Sequence, residues 1–313
     1  MILVTGGTGF VGRALIRQLV ANGQQVRTLI RPSARTPNLP RGVPVEVAVA
    51  SLGDERGLRA ALRGVEIVYH LAGAEFQGAR ANILQIDARG TYNLSQAAAE
   101  ARVRRFFYVS HLGAGRSSYY PLLKVKGIAE EYIRRSGVAH TIFRTALLYG
   151  PEDHFTTALA RMLALFPVYF MPRDGEVLIQ PLWVEDLVTC LLWSMDTPET
   201  LNHTFDIGGA EYFPFRQTME IIQEKIGLRR WFLPLGLPYL RTLTIMLESI
   251  MPGFPFSTFW VDYFAYNRTC AVDSIPRLFG FLPARFTYRL DHLKGINWNR
   301  QAWQTFFKPT STK

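Results

Sequence analysis

The stretch "YYPLLKVKG", residues 119–127, sets Tyr120 and Lys124 four residues apart. On a helix that spacing stacks a phenol one turn from an ammonium, a proton donor beside a cation able to lower its pKa. Lys126 competes for the second role. Near the start, "TGGTGFVG" places Gly6, Gly9 and Gly12 in a GxxGxxG pattern. The first glycine permits a tight turn and the second lets backbone approach a pyrophosphate. The third lets helix pack on strand, and the unpaired amides of the helix N-terminus then meet the phosphates.

An acidic residue at the end of the second strand would bind the ribose hydroxyls of NAD(H). The chain reads "LIRPSAR" there, with Arg31 in the deciding position and Ser33 and Arg35 behind it. A guanidinium pairs with a 2′-phosphate, so the expected cofactor is NADP(H), with NAD(H) as the alternative. His111 could donate a hydrogen bond to a substrate oxygen. Arg144 and Asp153 could contact substrate, an internal ion pair being the competing reading. The six histidines are scattered and none pairs at metal-ligand spacing, so no metal site is expected.

These residues need a frame. "ILVTG", "QVRTLIR", "PVEVAVA", "VEIVYHLAG", "RFFYVSHLGA" and "HTIFRTALLYG" read as strands. Between them run helical patterns, among them "VGRALIRQLVANG", "DERGLRAALRG" with Asp54 as N-cap, and "PLLKVKGIAEEYIRRSG" with Pro121 in its first turn and Gly137 past its end. That alternation predicts an α/β fold, a Rossmann-type doubly wound parallel sheet, with a small C-terminal substrate lobe and a helical hydrophobic tail. The expected organisation is a dinucleotide-binding domain over 1–155, a substrate lobe interleaved with it over 156–230, and a basic aromatic helical tail over 231–313.

With the glycine loop, "GVEIVYHLAG", "DARGTYNLSQAA", "TIFRTALLYGPED" and "PLWVEDLV" in place, residues 1–225 resemble the atypical and extended short-chain dehydrogenases/reductases, which include the NAD-dependent epimerase/dehydratase type. "VSHLGA" and "GVAHTIFRTALLYGPEDHF" are similar to the accessory NADPH-binding subunit of respiratory complex I and its bacterial relatives. The resemblance implies that Leu71, Ala72 and Gly73 pass by the ribose and nicotinamide, and that Ser110 is a cofactor-side residue. Asp87 stands where asparagine is usual. The implied cofactor set is Gly6, Thr8, Gly9, Phe10, Val11, Gly12, Arg31, Ser51, Leu52, Leu71, Ala72, Gly73, Ser110 and Lys126. In the family a tyrosine exchanges a proton with a substrate oxygen, and a lysine lowers its pKa and binds the nicotinamide ribose. Tyr120 and Lys124 satisfy that spacing. Lys126 instead fits the distances to Glu130 and Arg144, and in that register Leu122 occupies the tyrosine position. His111 and Leu112 stand where the family usually has a catalytic hydroxyl.

Composition narrows the function classes. The chain has 313 residues, 48% of them hydrophobic and 19% charged, which is globular. Cys190 and Cys270, without a local partner motif, point to a reducing, cytoplasmic setting. From residue 225 onward twelve Lys and Arg face four Asp and Glu, among many aromatics. Without a nucleic-acid motif this suggests either packing on the body or contact with a membrane surface or membrane complex on the inner face of the membrane. Two functions follow: an NADP(H)-dependent oxidoreductase or epimerase-type enzyme on an apolar small molecule, or a non-catalytic NADPH-holding subunit or assembly factor of a membrane protein complex.

Overall fold

The computed structural model describes residues 1–33, 36–75, 82–251, 253–254 and 256–307; Arg35, Lys308 and Lys313 lie outside them. Its strands are β1 (Ile2–Thr5), β2 (Val26–Ile30), β3 (Glu46–Val49), β4 (Ile67–His70), β5 (Arg105–His111), β6 (His140–Thr145), β7 (Leu148–Tyr149), β8 (Val168–Pro172), β9 (Leu178–Ile179), β10 (Leu182–Trp183), β11 (His203–Ile207), β12 (Phe213–Pro214) and β13 (Trp231–Leu235). The α-helices are α1 (Phe10–Ala21), α2 (Glu55–Ala61), α3 (Gly90–Glu100), α4 (Pro121–Arg135), α5 (Thr156–Leu165), α6 (Val184–Trp193), α7 (Phe215–Lys225), α8 (Leu237–Ile250), α9 (Thr258–Tyr263), α10 (Ser274–Phe279) and α11 (Trp298–Phe306).

The chain divides into two compact units. The first comprises Met1–Ala74, Asn82–Thr145 and Val184–Ile207. Its seven-stranded sheet runs β11-β6-β5-β4-β1-β2-β3, parallel at every pairing. The central strands β1 and β4 are buried along their whole length, as a sheet covered by helices on both faces requires. On one face Leu58, Leu94, Ala129 and Ile133, from α2, α3 and α4, close over Leu3, Val68, Phe106 and Ile142. The Tyr69 hydroxyl donates to the Leu191 carbonyl of α6 at 3.0 Å. Sequence periodicity gives six of these strands; the seventh, β11, pairs with β6 at the sheet edge.

Local signals work as physics demands. The Asp54 carboxylate accepts the Gly57 amide at 3.0 Å and starts α2. Pro121 opens α4. Ahead of α3 the chain makes a π-helical turn, Leu84–Arg89, which runs directly into that helix.

Among the described residues the second unit takes Glu75 and residues 146–183, 208–251, 253–254 and 256–307. Its core centres on α5 and α7, with Phe215 stacked on Phe264 at 4.3 Å between ring centroids. Aromatic residues of the expected tail, including Phe256, Trp260, Phe264, Phe286, Trp298 and Phe306, are buried in this core, whereas Trp231 and Tyr239 are exposed. The segment after Arg230 opens with β13, parallel to β8, where the sequence suggested only helices. Pro234 argues against a strand, but a two-stranded ribbon leaves one edge of β13 unpaired and tolerates it.

Candidate functional site

In the first unit the sheet order reverses direction at β1, whose neighbours are β2 and β4. The loops leaving β1 and β4 therefore flank the switch point, where ligands bind in doubly wound sheets. Gly6 has φ of +72°, and a Cβ on it would lie 2.7 Å from the Leu71 carbonyl carbon and oxygen. The glycine loop and the Leu71–Ala72 turn are thus in direct backbone contact. A Cβ on Gly12 would meet the Gly6 carbonyl oxygen at 2.2 Å, so helix and loop are locked together. Gly9 is the N-cap of α1 and offers no side-chain cap, leaving the first amides of the helix for a ligand. Thr8, Phe10 and Val11 line this turn, and the Arg13 guanidinium holds the Thr8 carbonyl at 2.7 Å.

Behind the loop runs a buried polar chain. Thr5 and His70 face each other across the β1–β4 register. Their contact, Oγ1 to Nδ1, is 2.7 Å, and the Ala72 amide donates to the Thr5 hydroxyl at 3.3 Å. His70 Nε2 lies 2.8 Å from the Thr91 hydroxyl, which itself donates to the Asp87 carbonyl. Thr91 has one proton and spends it on Asp87, so it accepts from His70 Nε2–H. Nδ1 then accepts from Thr5, and the network assigns a neutral Nε2–H tautomer. Burial first, and the Lys126 charge second, push the His70 pKa down to about 3.

Asp87 is the next link. Its Oδ2 accepts the Ala74 amide at 3.0 Å, and its Oδ1 lies 3.0 Å from Lys126 Nζ, with both side chains buried. Lys126 also sits 5.7 Å over the Tyr108 ring. Two lines of hydrogen bonds therefore pin the 71–74 turn, one through Thr5 and one through Asp87.

The two lysines are now distinguished. Lys126 is 4% exposed and Leu122, one turn before it, is 8% exposed. Lys124 lies on the exposed side of α4, and Tyr120, half-buried, is the N-cap residue ahead of the helix. Of the two spacings read from the sequence, Leu122 and Lys126 are the buried pair, while Tyr120 is half-buried and Lys124 exposed. The physical reason is the apolar demand at Leu122, Leu123 and Val125, which turns position 124 outward.

Arg144 makes the internal ion pair that was the competing reading. It makes hydrogen bonds of 2.9 and 2.6 Å with the two oxygens of fully buried Glu130, which raises the guanidinium pKa. Glu130 also accepts from the Ser110 hydroxyl at 2.7 Å and from Arg134 at 3.0 Å. Ser110 is thereby turned toward this cluster. Asp153 belongs to the second unit and caps α5: it accepts from the Gly150 amide, the Thr156 hydroxyl and the Thr157 amide at 3.1, 2.6 and 2.8 Å. Its buried carboxylate is committed to the turn. His111 ends β5, half-buried. Arg31 is exposed just past β2, and Ser51 and Leu52 follow β3, where the Leu52 carbonyl accepts from Asn93 at 2.9 Å. Among the described residues no cluster of three or more His, Cys, Asp or Glu could hold a metal.

Residues 6–161 match a family model described as NAD(P)H-binding. The first unit is an NAD(P)H-binding domain of the Rossmann type. The chain is 26% identical over 264 residues to NADH dehydrogenase (ubiquinone) 1 alpha subcomplex subunit 9, mitochondrial, of Arabidopsis thaliana, across 81% of this chain and 64% of that protein. It is 34% identical over 173 residues to ceramide reductase of Caulobacter vibrioides, across 54% of this chain and 52% of that protein. The chain thus spans between half and two thirds of the length of these relatives. Among solved structures, the NADPH-dependent quinone oxidoreductase QOR2 of Escherichia coli shares the fold with a TM-score of 0.72 at 20% identity, over 94% of this chain and 99% of that one.

The NAD(P)H-binding domain has a cradle that fits the cofactor. The close backbone approaches at Gly6 and Gly12 and the uncapped start of α1 form a diphosphate seat. Sequence reasoning missed His70, and treated Asp87 as a departure from asparagine without placing it in the site. A histidine in the otherwise apolar strand "IVYH" was the available signal for His70, and its register with Thr5 is visible only in the folded sheet.

Proposed function

We propose that the protein is an NADP(H)-dependent oxidoreductase of the atypical, extended short-chain type, acting on an apolar small molecule, with Lys126 as the lysine of its site. The observation that carries this reading is the buried Lys126–Asp87 pair at 3.0 Å, which ties the turn after β4 to α4. A buried ion pair is weak evidence for stability, since desolvation offsets most of its attraction. Lys126 is better understood as a cofactor-ribose ligand that Asp87 orients. Gly6, Gly9 and Gly12 would hold the pyrophosphate, Arg31 the 2′-phosphate, and Leu71, Ala72 and Gly73 the ribose and nicotinamide side. When bound, NADPH supplies a hydride to an electrophilic carbon. Tyr120 or His111 would then supply the proton. An apolar substrate agrees with the relationship to a ceramide reductase.

Leu122 favours a second reading, an NADPH-holding subunit without proton chemistry, attached to a membrane protein complex as the complex I relative is named. One experiment separates them. The nucleotide carried by the purified protein is identified, its exchange against NADPH and NADH is timed, and oxidation of bound NADPH by long-chain ketones is followed for the parent, Tyr120→Phe and His111→Asn. Exchange on the time scale of turnover, with ketone-dependent oxidation lost in one variant, supports the enzyme. NADPH retained for hours without oxidation by any ketone supports the holding role. Failure to bind either nucleotide overturns both.

A further inference from the structure

The second unit contains a cavity that the cofactor site does not use. It encloses about 170 Å³. Tyr169 and Phe170 of β8, Leu243 and Leu247 of α8, and Trp260 and Val261 of α9 are among the residues that line it. Thr244, also at the wall, donates its hydroxyl to the Leu240 carbonyl at 2.8 Å. The lining therefore suits hydrocarbon. An apolar cavity of about 150 Å³ accepts a benzene-sized guest, so this one takes about six carbons of a chain.

Two features of α8 say what that chain belongs to. On the cavity side, Leu240, Leu243 and Leu247 are only half-buried. A helix packed on a finished core buries such leucines; among the fourteen residues of α8 only Thr244 is buried. Beside that face Tyr239, Met246 and Ile250, at i, i+7 and i+11, form an exposed apolar stripe, and Phe170 at the cavity wall is 38% exposed. An amphipathic helix whose apolar arc runs from the cavity to the outside, with Arg241, Thr242 and Ser249 exposed on its polar face, fits a bilayer surface. There the outer side chains sit at the boundary between headgroups and acyl chains, and a chain from the same bilayer enters between α8 and β8. Arg229, exposed just before β13, supplies positive charge for lipid phosphate, and Arg241 of α8, half exposed, is held by Asp262 at 3.0 Å.

We propose that this cavity seats the end of an acyl chain of a membrane phospholipid while α8 lies on the bilayer surface. The site is independent of the cofactor reading and goes beyond it.

The test uses the full chain with vesicles of phosphatidylcholine and phosphatidylglycerol in which part of the phospholipid carries a diazirine near the end of one acyl chain. Photolysis should label peptides containing Leu240–Leu247 and Trp260–Phe264, and the protein should sediment with the vesicles. Leu243→Trp fills the cavity and should lower the labelling about tenfold, while NADPH binding, measured in parallel, stays at the parental value. Val261→Phe, filling from the opposite wall, should do the same and serves where Leu243→Trp does not fold. Labelling of other segments, or labelling in both filled variants equal to the parent, overturns the proposal. Binding of free diazirine palmitate without sedimentation assigns the cavity to a soluble ligand and also overturns it. A cavity filled by a partner protein's side chain would give no acyl label, and that result overturns it too.

Discussion

At the residue scale the site turns on which lysine faces inward. Lys126→Met leaves the Asp87 carboxylate buried without its cation, and should cost about 3–5 kcal/mol of stability and about tenfold in NADPH affinity. Lys124→Met, on the exposed side, should change stability by no more than about 0.5 kcal/mol. Urea unfolding and NADPH titration of the two variants check this, and equal effects would undo the assignment. His70 sets a pH dependence. Its folded pKa is about 3 against an ordinary 6.5, so the unfolded chain takes up a proton that the native chain refuses. The stability due to neutral His70 is complete above pH 6.5 and drains away as pH falls toward 3, at up to about 1.4 kcal/mol per pH unit. His70→Gln, which can still donate and accept between the two threonines, should flatten that slope in unfolding curves taken across this window.

At the element scale the junction of β1 and α1 separates packing from binding. On Gly12 a methyl group would collide with the backbone at 2.2 Å, whereas on Gly9 the nearest neighbour, the Gly6 oxygen, is 3.2 Å away. Gly12→Ala should destabilise the domain by about 1–3 kcal/mol through forced backbone movement. Gly9→Ala should cost less in folding yet still weaken NADPH, because its methyl group projects where the phosphate must approach. Thermal melts with and without NADPH resolve the two effects, and similar melts for both variants would contradict the geometry. Elements also explain why some expected site residues are occupied elsewhere. Arg144 on β6 stands beside Ser110 on β5 in the sheet register, and Glu130 of α4 lies over both. Asp153 is drawn into the first turn of α5.

At the scale of the whole molecule, the chain carries a net charge of +10, and among the described residues no helix is long and apolar enough to cross a membrane. Any attachment to anionic bilayers should therefore combine a charge part and an apolar part. Charge attraction is screened beyond about 8 Å at physiological salt. Sedimentation with phosphatidylglycerol vesicles should weaken about tenfold between low and high salt while a residual apolar fraction remains. Binding indifferent to salt would remove the role given to the basic residues.

What depends on short-range geometry was legible in the order of residues. The Gly6–Gly9–Gly12 spacing, the Asp54 cap, Pro121 at the start of α4 and the runs of apolar strand residues are local instructions, and each has its predicted structural place. The same order narrowed the choice of lysine to two, because Leu122 and Lys126 fit one register and Tyr120 and Lys124 the other. Packing decided which of these side chains are buried, since which face of α4 is inward depends on the sheet it covers. Packing also brought Ser110, Arg144 and Glu130 into one cluster and set His70 between Thr5 and Thr91. Those partners are 14 to 65 residues apart in the chain, and no local pattern records a contact across that distance. The strand β13 and the cavity under α8 escaped for the same reason: pairing and voids belong to the packed chain, and composition shows only that apolar residues are present.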